Sequence, residues 1–159
     1  GVRLVGSEMC IRDRYEGVEM SAGEFDINIE QGATFGLDIS YKDSDSVLIL
    51  LGSGGYSIRM QIRESHGGTL IAWGDSEYTT DNANRPSDVT SSTDTTKKII
   101  DFTKADTSPN LVLAITGVNT AALTPSQFDG AVYDIEVIVG TTVDRLMEGR
   151  VYLSKEVTT

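Results

Sequence analysis

Apolar and polar residues alternate along three stretches of this chain. The stretches cover residues 25–30, 35–41 and 56–63, and in the first of them Ile27 and Ile29 stand between polar residues. A period of two is typical of a half-buried strand, because successive side chains of a strand point to opposite faces of the sheet. We therefore predict a β-strand in each of the three stretches.

Further short segments are apolar and rich in β-branched or aromatic residues, which also favours strands. Turn sequences such as GSGG at 52–55 and TSPN at 107–110 separate them. Many short strands at this spacing predict an all-β fold, either a sandwich or a barrel. The best helical candidate is TPSQF at 124–128, where Thr124 can cap one turn at most. The further strand segments are 69–73, 97–102, 111–116, 131–139, 143–147 and 150–157.

The C-terminal segments are predicted in more detail. Alternation in the sequence YDIEV places Tyr133, Ile135 and Val137 on the core face. The following RLMEGRVYL is expected to be a bulged strand or a hairpin, with a kink that Gly149 permits. Charged side chains on the outer face are expected to pair across strands; these are Asp134, Glu136, Arg145 and Arg150.

One long stretch, residues 78–98, is nearly without apolar residues and rich in Thr, Ser, Asp and Asn. Such a composition contributes little to a core, so we predict a long exposed loop within a single domain.

The first 19 residues differ from the rest. They hold the single cysteine, Cys10, and their charged residues break any apolar stretch that a signal peptide would need. The codon string CTCGTGGGCTCGGAGATGTGTATAAGAGAC encodes Leu4 to Asp13 and resembles the transposase-type adapter used in short-read sequencing. This resemblance implies that residues 3–14 are translated adapter. We therefore expect residues 1–19 to be a disordered artefact and the genuine domain to span 20–159, starting at Met20.

Composition narrows the possible partners. The chain has 159 residues and a formal net charge of −11 at pH 7, which fits one domain and argues against a nucleic-acid partner. One cysteine excludes an intramolecular disulfide framework and a zinc site of several cysteines. The longest apolar run, residues 46–52, is far shorter than a membrane span, so no membrane partner is expected.

Candidate chemical motifs are incomplete. His66 lies next to glycine, as in a turn, and the sequence lacks a nucleophile placed for a Ser-His-Asp triad. GSGGYS at 52–57 misses the last glycine of the dinucleotide-binding pattern, and DSDS at 43–46 lacks the glycine and the glutamate of a calcium loop. We therefore predict no enzyme activity and assign no catalytic, cofactor-binding or metal-binding residue.

Three blocks of the sequence together resemble a family of small tailed-bacteriophage proteins, of the type found in marine phages and cyanophages. The blocks are INIEQGATFGLDISYKDSD at 27–45, YSIRMQIRES at 56–65 and YDIEVIVGTTVDRLMEGRVYLSKEVT at 133–158. The resemblance implies an immunoglobulin-like antiparallel β-sandwich that serves as a virion structural protein. The apolar SVLILLGSGGY at 46–56 departs from the family, in which a polar turn is common at this place.

These observations predict a non-enzymatic component of the neck, tail, or baseplate and fibre region of a virion, made in the host cytoplasm. It is expected to contact other virion proteins and its own copies in a ring or trimer. The alternative is a carbohydrate-binding or host-adhesion domain that uses Trp73 and the 78–98 loop. Because Trp73 is in phase with Ile71 on a short strand, burial in the core is favoured over sugar stacking.

Overall fold

The computed structural model describes residues 3–5, 8–11, 22–77, 86–89 and 95–155. Strands dominate this part of the chain, and the helical elements are α1, Gly117–Ala121, and a short 3-10 helix, Pro125–Phe128. The strands are β1 Arg3–Val5, β2 Glu8–Ile11, β3 Gly23–Glu24, β4 Ile27–Glu30, β5 Phe35–Tyr41, β6 Ser57–Arg63, β7 Leu70–Asp75, β8 Asp101–Lys104, β9 Leu111–Ile115, β10 Val132–Val139 and β11 Thr142–Ser154.

The strands form two sheets. One has the order β1-β2-β5-β9-β8, and the other has the order β3-β11-β10-β6-β7, with β4 also paired to β11. Buried side chains from both sheets form one continuous cluster. The prediction of an all-β sandwich is therefore confirmed.

The predicted strand phase is confirmed in the centre of the second sheet. Tyr133, Ile135 and Val137 on β10 are buried, and the residues between them are only half-buried. Strand β6 alternates in the same way. A period of two in the sequence thus corresponds to one face on the core and one toward solvent.

Strand β11 is one continuous strand with a bulge. Of the two predicted alternatives, the bulged strand is therefore correct and the hairpin is excluded. The bulge is at Leu146, because Ile135 pairs with Met147 whereas Glu136 pairs with Arg145. The extra residue places Leu146 and Met147 both in the core. Gly149 has a different role from the predicted kink, since a Cβ there would lie 2.1 Å from the Phe25 carbonyl oxygen.

The N-terminal segment contains two strands. Strand β1 pairs with β2, and β2 runs parallel to β5 with Glu8 opposite Asp38 and Ile11 opposite Tyr41. The expected disorder of residues 1–19 stays a prediction, and the residues of this segment other than 3–5 and 8–11 lie outside the described residues. Their resemblance to a translated adapter stays a prediction.

Part of the 78–98 stretch packs against β7. Val89 is 6% exposed and forms a second buried cluster with Leu70 and Trp73. On the edge of β7, the Trp73 N–H donates to the Lys97 carbonyl at 2.8 Å. Pro86 is buried as well, whereas residues 87–88 and 95–97 are exposed. The long exposed loop stays a prediction, because 78–85 and 90–94 lie outside the described residues.

The 3-10 helix confirms the predicted single turn at 124–128, although the Thr124 side chain makes no capping hydrogen bond. Helix α1 is capped instead by the Thr116 hydroxyl, which accepts from the Asn119 N–H at 3.4 Å. In the part of the chain that the structure describes, neither helix has the length and apolar character of a membrane span.

Asn110 fixes the loop of residues 42–56. Its side chain is fully buried, donates to the Tyr41 and Ile49 carbonyls at 2.9 and 2.7 Å, and accepts from the Tyr41 N–H at 2.7 Å. One amide therefore joins the end of β5 to the middle of the loop. A buried polar group that has its partners stabilises a fold, whereas one that loses them is costly.

We expect Asn110→Ala to lower the free energy of unfolding by about 2 kcal/mol, because it leaves the buried Tyr41 N–H without its acceptor. Urea unfolding measures the loss, and Asn28→Ala, at an exposed position of β4, is the matched control. Equal stability of the two variants would show that the Asn110 amide does not hold the loop.

Candidate functional site

The outer face of the second sheet carries two adjoining cavities of ≈ 260 and ≈ 400 Å³. They lie beside the turn between β6 and β7 and share the lining residues Ser65, His66, Val132 and Glu148. We call this region the outer groove. It is the largest recess among the described cavities and is lined mainly by polar side chains.

Charged side chains pair across the floor of the outer groove. Arg145 donates to Glu148 at 2.9 Å, and its guanidinium lies 3.7 Å from the Asp134 carboxylate. Beyond the residues that line the groove, Glu136 accepts from Arg59 of β6 at 2.5 Å. The predicted cross-strand pairing is therefore confirmed for Asp134 with Arg145, whereas Glu136 takes a partner from the opposite neighbouring strand.

The Arg150 side chain, the fourth of the predicted set, enters no described ion pair with these carboxylates. Instead, the Arg150 backbone N–H donates to the Asp26 carboxylate at 2.8 Å. Such partly exposed pairs contribute about 1 kcal/mol or less each, so they order the surface more than they stabilise the fold.

The pKa of the Asp134 carboxyl is raised above its ordinary value. Burial on the groove floor is the main cause, and the neighbouring Glu136 adds to it, while Arg145 opposes the shift. The folded protein therefore holds the Asp134 proton more tightly than the unfolded chain does. Its contribution to stability is fully present below the ordinary pKa and is lost as the pH rises through the raised pKa.

We expect Asp134→Asn to melt at a higher temperature than the parent at neutral pH, because the amide carries no charge to desolvate. The gap should close as the pH falls below the ordinary pKa of 3.8. Thermal melts across the acidic range test this, with the exposed Asp129→Asn as control. A lower melting temperature at neutral pH would show that the ion pair with Arg145 outweighs desolvation.

His66 lies in the predicted turn. It is exposed, and the turn is closed by the Gly68 N–H, which donates to the Ser65 carbonyl at 2.9 Å. Gly67 has a φ of 70°, a conformation that glycine adopts readily. Within the described ranges, no three His, Cys, Asp or Glu side chains converge as a metal site would require.

The aromatic candidates are separated. Trp73 is 1% exposed, so its burial is confirmed, but it packs in the second cluster with Leu70 and Val89, whereas Ile71 lies in the main core. Tyr56 packs partly buried against the main core, and Tyr78 lies outside the described residues. The structure therefore does not bring Trp73 and Tyr56 into an exposed stacking platform.

The acidic and glycine-rich motifs of the 42–56 loop form turns. The Asp43 carboxylate accepts from the Asp45 and Val47 N–H groups, at 3.0 and 2.8 Å. The Asp106 carboxylate accepts from the Gly52 and Ser53 N–H groups, at 2.8 and 3.0 Å. The two carboxylates thus bind backbone of this loop.

Hydrogen bonds from the Ser53 side chain and from the N–H groups of Ser53 and Gly52 hold the pKa of Asp106 below its ordinary value. The stability from these bonds is present above the ordinary pKa and is lost as the pH falls through the lowered one. Sequence reasoning missed Asp106 and Asn110, because each acts on residues more than 50 positions earlier in the chain.

No protein-family model matches the chain, and no curated protein matches it either.

Proposed function

We propose that this protein is a non-enzymatic structural component of a tailed-bacteriophage virion, from its neck, tail, or baseplate and fibre region. It acts through contacts with other virion proteins, as one copy in a ring or trimer. The proposal joins the sequence resemblance to the positions of the resembling residues in the fold.

The position of the three blocks is the observation that carries the proposal. Their strands β6, β10, β11 and β4 are hydrogen-bonded neighbours in the order given. The fifth strand from these blocks, β5, lies in the other sheet and supplies core residues opposite them. The resembling residues therefore build the framework of the sandwich, as expected for a protein that works through its shape.

The strand order supports an immunoglobulin-like sandwich as the framework. An immunoglobulin domain has strands B, E and D in one sheet and strands C, F and G in the other. Here β5, β9 and β8 are neighbours in that order in the first sheet, as strands B, E and D are. Strands β6, β10 and β11 are neighbours in that order in the second sheet, as strands C, F and G are. Strand β4 runs parallel to β11 at the edge. We infer that these strands occupy the corresponding positions.

The adhesion alternative has less support from the structure. It relied on Trp73 as a stacking residue, and that side chain is packed with Leu70 and Val89. A sugar would have to displace this packing before it could stack on the indole ring.

Co-expression with the products of the neighbouring genes tests the proposal. We expect the chain to co-purify with at least one of them, and light scattering and negative-stain electron microscopy should show a ring or trimer. The control is co-expression with an unrelated β-sandwich protein of similar size and charge. A chain that stays monomeric and binds none of the neighbouring products would contradict a structural role in the virion.

A further inference from the structure

Exposed aliphatic side chains are concentrated at one end of the sandwich. The described large hydrophobic residues that are exposed are Val47, Leu50, Val118, Val139, Val143 and Tyr152. Four of these six belong to the 42–56 loop or to the tip of the β10–β11 hairpin, residues 139–143. Single exposed apolar residues are ordinary on a surface, whereas a concentration of them marks an interaction site.

The strand register places the hairpin tip beside the C-terminal end of the 42–56 loop. Ile138 pairs with Val143 on one side and with Ser57 on the other, so the hairpin tip adjoins the start of β6. The 42–56 loop leads directly into β6, and its Gly54 N–H donates to the Leu50 carbonyl at 2.8 Å. We call the 42–56 loop and the 139–143 tip together the loop end of the sandwich.

The backbone of the 42–56 loop is anchored by hydrogen bonds, although two of its aliphatic residues are exposed. Asn110 and Asp106 bind its backbone from outside the loop, and Leu51, directly after the exposed Leu50, is fully buried. Val47 and Leu50 remain 59% and 51% exposed. A rigid loop loses little conformational entropy on binding, so its apolar contacts contribute more of their energy to affinity.

The charge of the loop end favours a partner of opposite sign. Lys104 is paired with Glu77, which leaves Lys42 as the other lysine of the region. Against it stand three carboxylates on or beside the loop, namely Asp43, Asp45 and Asp106. A second copy of the chain docked through the same end would bring carboxylates together, and such like-charge contacts are unfavourable.

We propose that the loop end is a docking surface for a different protein, whose contact segment has apolar side chains flanked by Lys or Arg. Val47 and Leu50 supply the apolar anchors, and the surrounding carboxylates bind the basic groups. The inference deepens the proposed function, on which it rests for the existence of a protein partner. It adds the location of the contact and the chemistry of the partner.

Panning a random-peptide display library on the immobilised full chain tests the docking surface. We expect the enriched peptides to carry leucine, isoleucine or aromatic residues next to Lys or Arg. Fluorescence anisotropy then compares one enriched peptide on the parent, on Leu50→Asp and on Val118→Asp. Both substitutions add one negative charge at an exposed aliphatic position, but Val118 lies on α1, outside the loop end.

The affinity should fall more than about tenfold for Leu50→Asp and stay unchanged for Val118→Asp. The added carboxylate by itself would strengthen the attraction for a basic peptide, so a loss identifies the apolar contact. Asp45→Lys should also weaken binding, and Asp129→Lys, an exposed position outside the loop end, should not. Circular dichroism confirms that each variant is folded.

Several results would overturn this inference. They are failure of any peptide to enrich, enrichment of peptides without basic residues, and equal affinity for the parent and Leu50→Asp. A dimer that Leu50→Asp dissociates in sedimentation would identify a second copy as the occupant. If co-expression yields no complex but peptide binding requires Leu50, the virion proposal fails and the docking surface remains. If a complex forms that tolerates Leu50→Asp, the virion proposal remains and the contact lies elsewhere.

Discussion

Ile135→Asp is expected to unfold the domain. Ile135 is 0% exposed, and its register neighbours Met60 and Met147 are as deeply buried. A carboxylate at this position either loses its hydration without a partner or takes up a proton at a cost in free energy. The expected loss is roughly 4 kcal/mol or more, a large part of the 5–15 kcal/mol that stabilises a typical domain.

Far-ultraviolet circular dichroism and urea unfolding measure the effect of Ile135→Asp. The control is Val139→Asp, which introduces the same charge on the same strand at a position that is 38% exposed. The control should keep a cooperative transition close to that of the parent. A cooperatively folded Ile135→Asp protein of parental stability would show that the face of β10 on the core is wrongly assigned.

Gly149→Ala is expected to have the second-largest effect. The Phe25 carbonyl oxygen would lie 2.1 Å from the new methyl carbon, and the Phe25 carbonyl carbon 2.7 Å. That carbonyl is also held by the Tyr133 hydroxyl, which donates to it at 2.6 Å. The chain between β3 and β4 must therefore move away from β11, at a cost of about 3 kcal/mol.

The matched control for Gly149→Ala is Gly36→Ala on β5. A Cβ at Gly36 meets only the Leu113 carbonyl oxygen, at an ordinary contact distance of 3.9 Å. The control should stay within about 0.5 kcal/mol of the parent in urea unfolding. Hydrogen exchange should show faster opening at the Phe25 N–H in Gly149→Ala, because its bond to the Glu148 carbonyl is displaced. If Gly149→Ala is as stable as the parent, β11 and the Phe25 carbonyl do not approach each other this closely.

The strands of the core could be predicted because their signal is local. In β10 and β6, side chains two positions apart share a face, so Ile135 and Ile58 reveal their burial through their immediate neighbours. The bulge at Leu146 was harder to place, since it depends on the register between β10 and β11. The sequence around Gly149 suggested a local kink, whereas the need for glycine comes from Phe25, far away in the chain.

The loop that covers β7 shows where local reasoning fails. Val89 is a single aliphatic residue in a polar stretch, and no periodic pattern indicates its burial. Leu70 and Trp73 project from β7 on the side away from the main core. Val89 is buried because it packs on these two side chains and removes them from water. All six residues of β7 are buried, so both faces of this strand must be covered, one of them by a segment outside the main core.

The residues around the loop end were predictable only in part. The apolar run at 46–52 was visible as a departure from the resembling family, but the sequence did not separate the buried Leu51 from the exposed Leu50. That difference depends on how Asn110 and Asp106 orient the loop, and both act over long distances in the chain. The chemistry of the partner is inferred from the exposed aliphatic side chains and the carboxylates around them. Which of the aliphatic side chains are exposed is known only from the structure.

The parallel pairing of β4 with β11 has a mechanical consequence. Ile27 lies opposite Val151 and Glu30 lies opposite Ser154, so the first long strand after Ala22 runs alongside the last strand before Lys155. Tension between Ala22 and Lys155 pulls the two strands in opposite directions along their own axes. The hydrogen bonds between them are then sheared together instead of being peeled apart one after another. The sandwich is therefore built to resist stretching along this direction, and the rate of forced unfolding would measure that resistance.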